Sequence, residues 1–507
     1  MATGDHFSEA EIDRNGVVGQ ASSTTPLVRV VCFLVMESIL VSVPRASPDA
    51  LPELAEYLAP YLSMFRRRES RESLERYVTG LLTDLPRKNC DTIAAALAGT
   101  STERLQHLLA DATWDPASLE EARIRRLALT SPKGGILALD DTGLVKQGKA
   151  SVGVARQYSG TRGSIGNCQV VVSAEYVADQ PKSSSPLHWP AGARLYLPKG
   201  WTDDQERRER AHVPAELEFK TKPEIALALL DRAQSLGVPF EVVVADAGYG
   251  DNPNFLAGLE EREVRYVCGV QRSFGVRLPE EVETARTAEP APYQGKGRPK
   301  LPRSAALYTV EAVVASQPEG AWQTITWREG TKDTLRKQFV AVRVQRATGN
   351  PDVGPFGRSA SHGRMSTGSE GWLLAERPVP GETGERKWYY SNLPADTPLS
   401  RLVELAHARW VIEQFYEDAK GECGLDDYQG RRWDGFHRHL ALVNLTYSFL
   451  ATKRVDATTD GGFPPLGRSE PAPSASTHTR LAAPGPGALV HRDRPDQALP
   501  PTQKLTE

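Results

Sequence analysis

Between Ile136 and Val270, short Val-rich runs of strand length alternate with stretches of helical period, and this pattern sets the class of fold. Ile136–Asp141 is an apolar run ending in two acids, Gln169–Val177 is rich in Val, and Phe240–Ala247 contains a Val-Val-Val run closed by Asp246. Helical spacing predicts amphipathic helices over about Pro223–Leu236 and Asn254–Glu263, the second leading to a strand at Tyr266–Val270. Strands followed by strand–helix alternation predict an α/β fold on a mixed sheet.

The period changes on both sides. From Leu51 to about Thr130 apolar residues recur every three or four positions, as in Leu54, Leu58, Leu62 and Phe65 or Leu74, Tyr77, Val78 and Leu81. This predicts a small all-helical domain over 51–130, behind a loose leader over 1–50. Residues 131–270 read as the first part of a core. Residues 271–385, rich in Pro, Gly, Ser and Thr with strand-like pieces such as Phe339–Val344 and Trp372–Leu374, read as a β-rich insertion. Helical period returns from Leu399 through about Cys423 and again over Gly435–Ala451, so 386–454 is expected to complete the core. The 9 prolines within 455–507 predict a disordered tail.

With 61 Lys plus Arg against 64 Asp plus Glu, the net charge of −3 gives no general attraction to polyanions, so any nucleic-acid surface must come from local segregation. One such excess lies over 271–375, with 15 basic and 10 acidic residues. The helical segment is balanced, 11 against 12, although Arg66, Arg67 and Arg68 adjoin and Arg87 and Lys88 follow a Pro turn; a solvated face and a DNA contact both fit them. The five cysteines contain no C-x-x-C pair, which argues against a zinc site and a disulfide framework. The apolar run Leu27–Val43 is interrupted by Arg29 and Glu37 and falls short of the roughly 20 residues of a spanning helix. The chain reads as cytoplasmic, with no membrane partner.

Asp140 and Asp141 end one predicted strand and Asp246 another that should lie beside it. Carboxylates at adjacent strand ends can converge on a divalent cation, but acids there also form ordinary turns. Arg409, Glu413, Glu417 and Lys420 follow at intervals of four, four and three, on one face of a helix, where a salt-bridged surface is the plainer reading. Trp410, Ile412 and Phe415 give that helix an apolar side for packing on the sheet, from which Glu413 can face the strand ends. His407, Cys168 and Cys423 read as packing residues.

Leu-Asp-Asp-Thr-Gly at 139–143, Val-Ala-Asp-Ala-Gly-Tyr-Gly-Asp at 244–251 and Arg-Trp-Val-Ile-Glu-Gln-Phe-Tyr-Glu-Asp-Ala-Lys-Gly at 409–421 resemble, in that order, the DDE-type insertion-sequence transposases. Gly-Val-Ala-Arg-Gln-Tyr-Ser-Gly-Thr at 153–161 and Leu-Tyr-Leu-Pro-Lys-Gly-Trp at 195–201 add to the likeness, which spans roughly 51–454. The resemblance implies an RNase H-like core, metal-dependent cleavage and strand transfer of double-stranded DNA, and Mg²⁺, with Mn²⁺ able to substitute. It implies that Asp141, Asp246 and Glu413 are the catalytic, metal-holding acids and that Arg409 and Lys420 clamp phosphates. Ala406 stands where the family has Tyr. Asp140 competes with Asp141 for the first acid, because adjacent strand residues point to opposite faces; alignment with the acid before Thr favours Asp141. Trp388 is implied to stack on a displaced base, against a plain core role on a strand. Pairing two DNA ends implies a homodimer. The alternative is an inactive or domesticated DNA-binding protein.

Overall fold

The computed structural model describes residues 51–459, except 160–162, 182, 184, 289–304, 330–333 and 348–366. The leader over 1–50, with its Leu27–Val43 run, and residues 460–507 lie outside the described residues, as do several of the basic residues counted over 271–375.

Among the described residues twelve strands make one mixed sheet. They are β1 (Gly135–Val145), β2 (Ala155–Ser159), β3 (Ser164–Val177), β4 (His188–Leu195), β5 (Phe240–Ala245), β6 (Arg265–Val270), β7 (Gly275–Arg277), β8 (Tyr308–Thr309), β9 (Gln323–Glu329), β10 (Thr334–Ala347), β11 (Thr367–Arg377) and β12 (Lys387–Ser391). Their order is β2-β3-β1-β5-β6-β12-β11-β10-β7-β8, with β4 on β3 and β9 on β10. Only β1–β5 and β5–β6 are parallel, and the other ladders are antiparallel. This is the α/β fold on a mixed sheet that the sequence predicts. The strand-like pieces at Phe339–Val344 and Trp372–Leu374 are the centres of β10 and β11, which continue the same sheet beyond β12.

One detail of β1 differs from expectation. Asp140 and Asp141 do not end the strand, which runs on to Val145 against β3, whereas its ladder with β5 stops at Leu139–Ala245. The acids therefore sit where one neighbour has ended and the other has not, and Asp246 follows directly after β5.

The helices that bear on the site are α1 (Pro52–Leu58), α2 (Arg68–Leu82), α3 (Cys90–Ala96), α4 (Thr102–Ala110), α5 (Pro116–Thr130), α6 (Lys222–Ser235), α7 (Ala247–Gly250), α8 (Pro253–Glu261), α9 (Leu399–Ala408), α10 (Trp410–Gly421) and α11 (Trp433–Thr459). A capping box starts α6: Thr221 N–H donates to Glu224 Oε2 at 2.7 Å, and Thr221 Oγ1 accepts from Glu224 N–H. The sheet has an apolar layer on each face. Leu137, Leu139 and Val243 pack with α6 and α8 through Leu229 and Phe255. Ile136, Ala138 and Val244 share the other layer with α10, α11 and α1–α5 through Phe415, Tyr447 and Leu74. The alternating period of β1 thus sends even-numbered residues to the α10 side and odd-numbered residues to the α6 side.

The N-terminal helices do not close a core by themselves. Tyr57 packs on Phe449 with ring centroids 5.3 Å apart, and Tyr77 Oη lies 2.8 Å from His439 Nδ1, both partners being on α11. Lys88, which reads in the sequence as half of a basic surface pair, is buried: its Nζ donates to the carbonyls of Leu81 and Glu422, tying α2 to the chain after α10. Arg66, Arg67 and Arg68 are exposed. Among the described residues no helix is long and apolar enough to cross a membrane.

Candidate active site

The 244–251 block acts as a compact scaffold. Asp246 caps α7 by accepting from the Gly248 N–H at 2.9 Å, which fixes its carboxylate just past β5. Tyr249, one turn on, is buried and donates its hydroxyl to Asp141 Oδ2 at 3.1 Å. Gly250 lies so close to β6 that a Cβ would stand 2.0 Å from the Gly269 carbonyl oxygen, so a residue with a side chain would push α7 off the sheet. Asp251 closes the block by accepting from the Gln271 N–H at 2.8 Å.

The predicted helix Leu399–Cys423 is two helices. The Ile412 N–H bonds to the Arg409 carbonyl three residues back, a tightened turn that ends α9 and starts α10 at Arg409. From this corner the guanidinium reaches β1, donating to Asp140 Oδ2 at 2.6 Å and to Glu413 Oε1. Glu413 and Lys420 follow along α10, and Lys420 Nζ donates to Thr142 Oγ1 at 2.8 Å. Asp140 and Thr142 are even-numbered residues of β1 and face α10. Asp141 is odd and looks the other way: its Oδ1 accepts from Lys222 Nζ at 2.9 Å and its Oδ2 from Tyr249.

These groups line one cleft of about 1200 Å³, above the roughly 300–1,000 Å³ of small-molecule sites. Asp140, Asp141, Asp246, Arg409, Glu413 and Lys420 are all in its wall, while Trp388 is not. Burial, then the charges of Asp246 and Asp141, holds the Asp140 carboxyl above the usual carboxylate range, with Arg409 opposing. Asp246 is raised too, by burial first, then by Asp141, against the pull of Arg409. The two carboxyls thus resist carrying charge together. Among the described residues no three carboxylate, His or Cys side chains lie close enough to hold a metal ion, and Arg409 stands between Asp140 and Glu413.

A sequence profile for the DDE superfamily endonucleases matches residues 60–334, more than half of the chain, and includes both β1 and the 244–251 block. The chain belongs to the DDE transposase family. A second profile, for the transposase DDE domain, matches 221–449, which contains Asp246 and the whole of α10. A probable transposase for insertion sequence element IS701 of Microchaete diplosiphon is 31% identical over 219 residues, covering 43% of this chain and 53% of that protein. The chain therefore spans about half the length of this curated relative. In this DDE transposase the mixed sheet and its helices have the RNase H-like character the resemblance implies.

Trp388 sits on β12 between Ala375 and Val270 and packs, half-buried, on the α6-side apolar layer. Trp388→Ala should therefore lower the thermal midpoint clearly, toward the roughly 3–5 kcal/mol loss of a truncated core tryptophan. An unchanged melt with slowed DNA cleavage would instead support stacking on a base. His407 stacks on Trp327 with centroids 4.0 Å apart and places Nε2 2.8 Å from Glu376, a packing role. Cys168 and Cys423 are buried, and Ala406 is buried among apolar neighbours. Sequence reasoning missed Lys222 and Tyr249 in the cleft wall. Tyr249 lay within a quoted motif, and Lys222 carried only the weak signal of a residue after a capping Thr.

Proposed function

We propose that the chain is a metal-dependent transposase that cuts DNA at the ends of an insertion-sequence element and joins the freed 3′ ends to target DNA. The observation that carries this reading is the Arg409 bridge, in which one guanidinium joins Asp140 to Glu413 in a cleft that also holds Asp246. We assign the three metal-holding positions to Asp141, Asp246 and Glu413, with Asp140 the competing choice for the first. Support for Asp141 over Asp140 is its place directly before Thr142, where the family has its first acid, and its wider exposure to the cleft, 23% of the side chain against 13%.

The donor set fits a divalent metal, which DDE transposases normally use. All three groups are carboxylates, the hard oxygen ligands that Mg²⁺ and Mn²⁺ take. Asp246 feels the negative charge of Asp141, which a cation held there would offset, and Arg409 supplies positive charge there now. Bound there, Mg²⁺ or Mn²⁺ would supply an activated hydroxyl nucleophile and a stabilised leaving oxygen. The chain's own groups do the positioning. Arg409, once released from Asp140, presents a planar fork that suits a phosphate, and Lys420, anchored on Thr142, holds a second cation two turns along α10. Double-stranded DNA, as element ends and target, is the proposed partner, with a homodimer pairing the two ends.

Incubating the full-length protein with a duplex carrying the DNA that flanks its gene, in EDTA, Mg²⁺ or Mn²⁺, tests this reading. Cuts at the terminal repeats that appear only with the cation are expected. Binding without cutting in all three would favour an inactive or domesticated DNA-binding protein, and cutting without regard to the repeats would favour a general nuclease.

A further inference from the structure

The block Gly-Val-Ala-Arg-Gln-Tyr-Ser-Gly-Thr at 153–161 has no place in the chemistry described so far. Several of its residues have structural work. Gly153 has φ +74°, and a Cβ there would stand 3.1 Å from the Tyr196 carbonyl oxygen. The Val154 carbonyl accepts from Trp201 Nε1 at 2.8 Å, and Gln157 Nε2 donates to the Cys168 carbonyl at 3.1 Å. Arg156 and Tyr158 are different. Both are exposed, and neither side chain makes a hydrogen bond, ion pair or ring contact among the described residues.

Strand register sets where they point. In the antiparallel β2–β3 ladder Arg156 pairs with Asn167 and Tyr158 with Ile165, and in the β1–β3 ladder Leu144 pairs with Gln169. Opposed residues share a face, as do residues two apart, so Arg156 and Tyr158 stand with Thr142 and Leu144 on the α10 side of the sheet. Tyr158 also lines the cleft that holds the acids. From Thr142 the path to Tyr158 crosses two strands and runs six residues along β3, about 20 Å. Tyr158 thus meets the cleft at a point distant from the acids. It is 62% exposed and its partner Ile165 64%, an open apolar pair on β2, an edge strand of the sheet. Edge strands usually carry polar residues or are covered, so this pair calls for an occupant. Three features favour DNA over a second copy of the chain. The face continues the cleft wall, Arg156 adds a cation that no described acid pairs, and a few side chains fall far short of the roughly 1,000 Å² that a stable protein interface buries.

Resting on the transposase reading above, we propose that the β2–β3 hairpin is a second anchor for the DNA backbone. Arg156 binds one phosphate, and Tyr158 donates its hydroxyl to a neighbouring one while its ring and Ile165 cover the sugar between. At a rise of about 3.4 Å per nucleotide, the anchor grips the strand about six nucleotides from the phosphate at the acids. It keeps the strand in line without touching the bond that breaks.

The test measures equilibrium binding of the full-length protein to a fluorescein-labelled duplex carrying the gene's flanking DNA, over a series of salt concentrations. Arg156→Gln should lower the slope of log affinity against log salt by about 0.9, and Arg156→Lys should restore it. Tyr158→Phe should weaken binding about tenfold and leave the slope alone, because the lost hydrogen bond releases no counterion. Both variants should melt and sediment like the wild type, since the side chains are exposed. A neutral methylphosphonate, scanned along each strand, should weaken wild-type binding at about six nucleotides from the cut, and at that position should not weaken Arg156→Gln further. An unchanged slope for Arg156→Gln, or an unchanged affinity for Tyr158→Phe, overturns that residue's contact. A methylphosphonate that acts only beside the cut overturns the anchor's place, and a smaller assembly in Tyr158→Phe gives the hairpin to a second copy instead. If the wild type binds the flanking duplex no more tightly than a scrambled one, the transposase reading fails, and the Arg156→Gln slope on either duplex still decides the anchor. Binding of neither duplex overturns both.

Discussion

Asp141→Ala, Asp246→Ala and Glu413→Ala are each expected to abolish strand cleavage while leaving DNA binding intact or slightly tighter. Losing one oxygen ligand removes several kcal/mol of transition-state stabilisation, a fall of roughly a thousandfold or more in rate. Affinity comes from basic contacts to phosphates, and the cleft has an excess of acids, so deleting one lessens repulsion of the strand. Asp140→Ala is the control on the same strand. It frees Arg409 from β1 and should slow cleavage without abolishing it. Single-turnover cleavage of a labelled duplex, beside gel-shift binding of the same duplex, measures both quantities. A dead Asp140→Ala with an active Asp141→Ala would place the first ligand on the α10 side of β1 and overturn the assignment to Asp141.

The contrast between these neighbours also explains what the amino-acid sequence reveals and what it withholds. The strand–helix order, the adjacency of β1 and β5, and the motif residues lining one cleft follow from local period and spacing. The facing of Asp140 and Asp141 does not, because β1 is buried on both faces and shows no apolar–polar alternation to orient it. Nor does the fact that β1 outruns β5, since the acids read equally well as a turn. Lys88 illustrates another gap. Its charge signals a surface residue, and only the distant Glu422 carbonyl, 334 positions away, makes its burial intelligible. Trp388 looks alike in sequence whether it stacks on a base or packs beside Val270, and strand pairing across 118 residues decides where it sits. Local pattern specifies elements and long-range contact specifies which face does chemistry.

The same long-range logic makes Arg123 a sensitive structural residue outside the cleft. Arg123, on α5, is fully buried and donates from Nε and Nη2 to Glu120 at 3.0 and 2.8 Å, a bidentate pair within one helix. Its Nη1 donates to Ser448 Oγ at 2.9 Å, and Asn444 Nδ2 donates to Glu120 Oε2 at 3.1 Å, so the pair clamps α5 to α11. That helix in turn backs α10: the Tyr447 ring meets Phe415 at 4.9 Å, and Arg454 donates to Asp418 at 2.9 Å. Arg123→Ala leaves the Glu120 carboxylate buried without its cation and should cost about 3–5 kcal/mol. The thermal midpoint should fall by roughly 5 °C or more, with early proteolytic cutting within 52–130. Replacing both partners, Arg123→Met with Glu120→Leu, should recover most of the loss, because no charge is then stranded. If the single variant melts like wild type, α5 is not held to α11 by this clamp. If the double variant is as unstable as the single, the loss comes from packing rather than from an uncompensated charge. Cleavage should track the melt in both variants, since α10 carries Glu413 and Lys420 on the side away from α11 and depends on that backing to keep them facing β1.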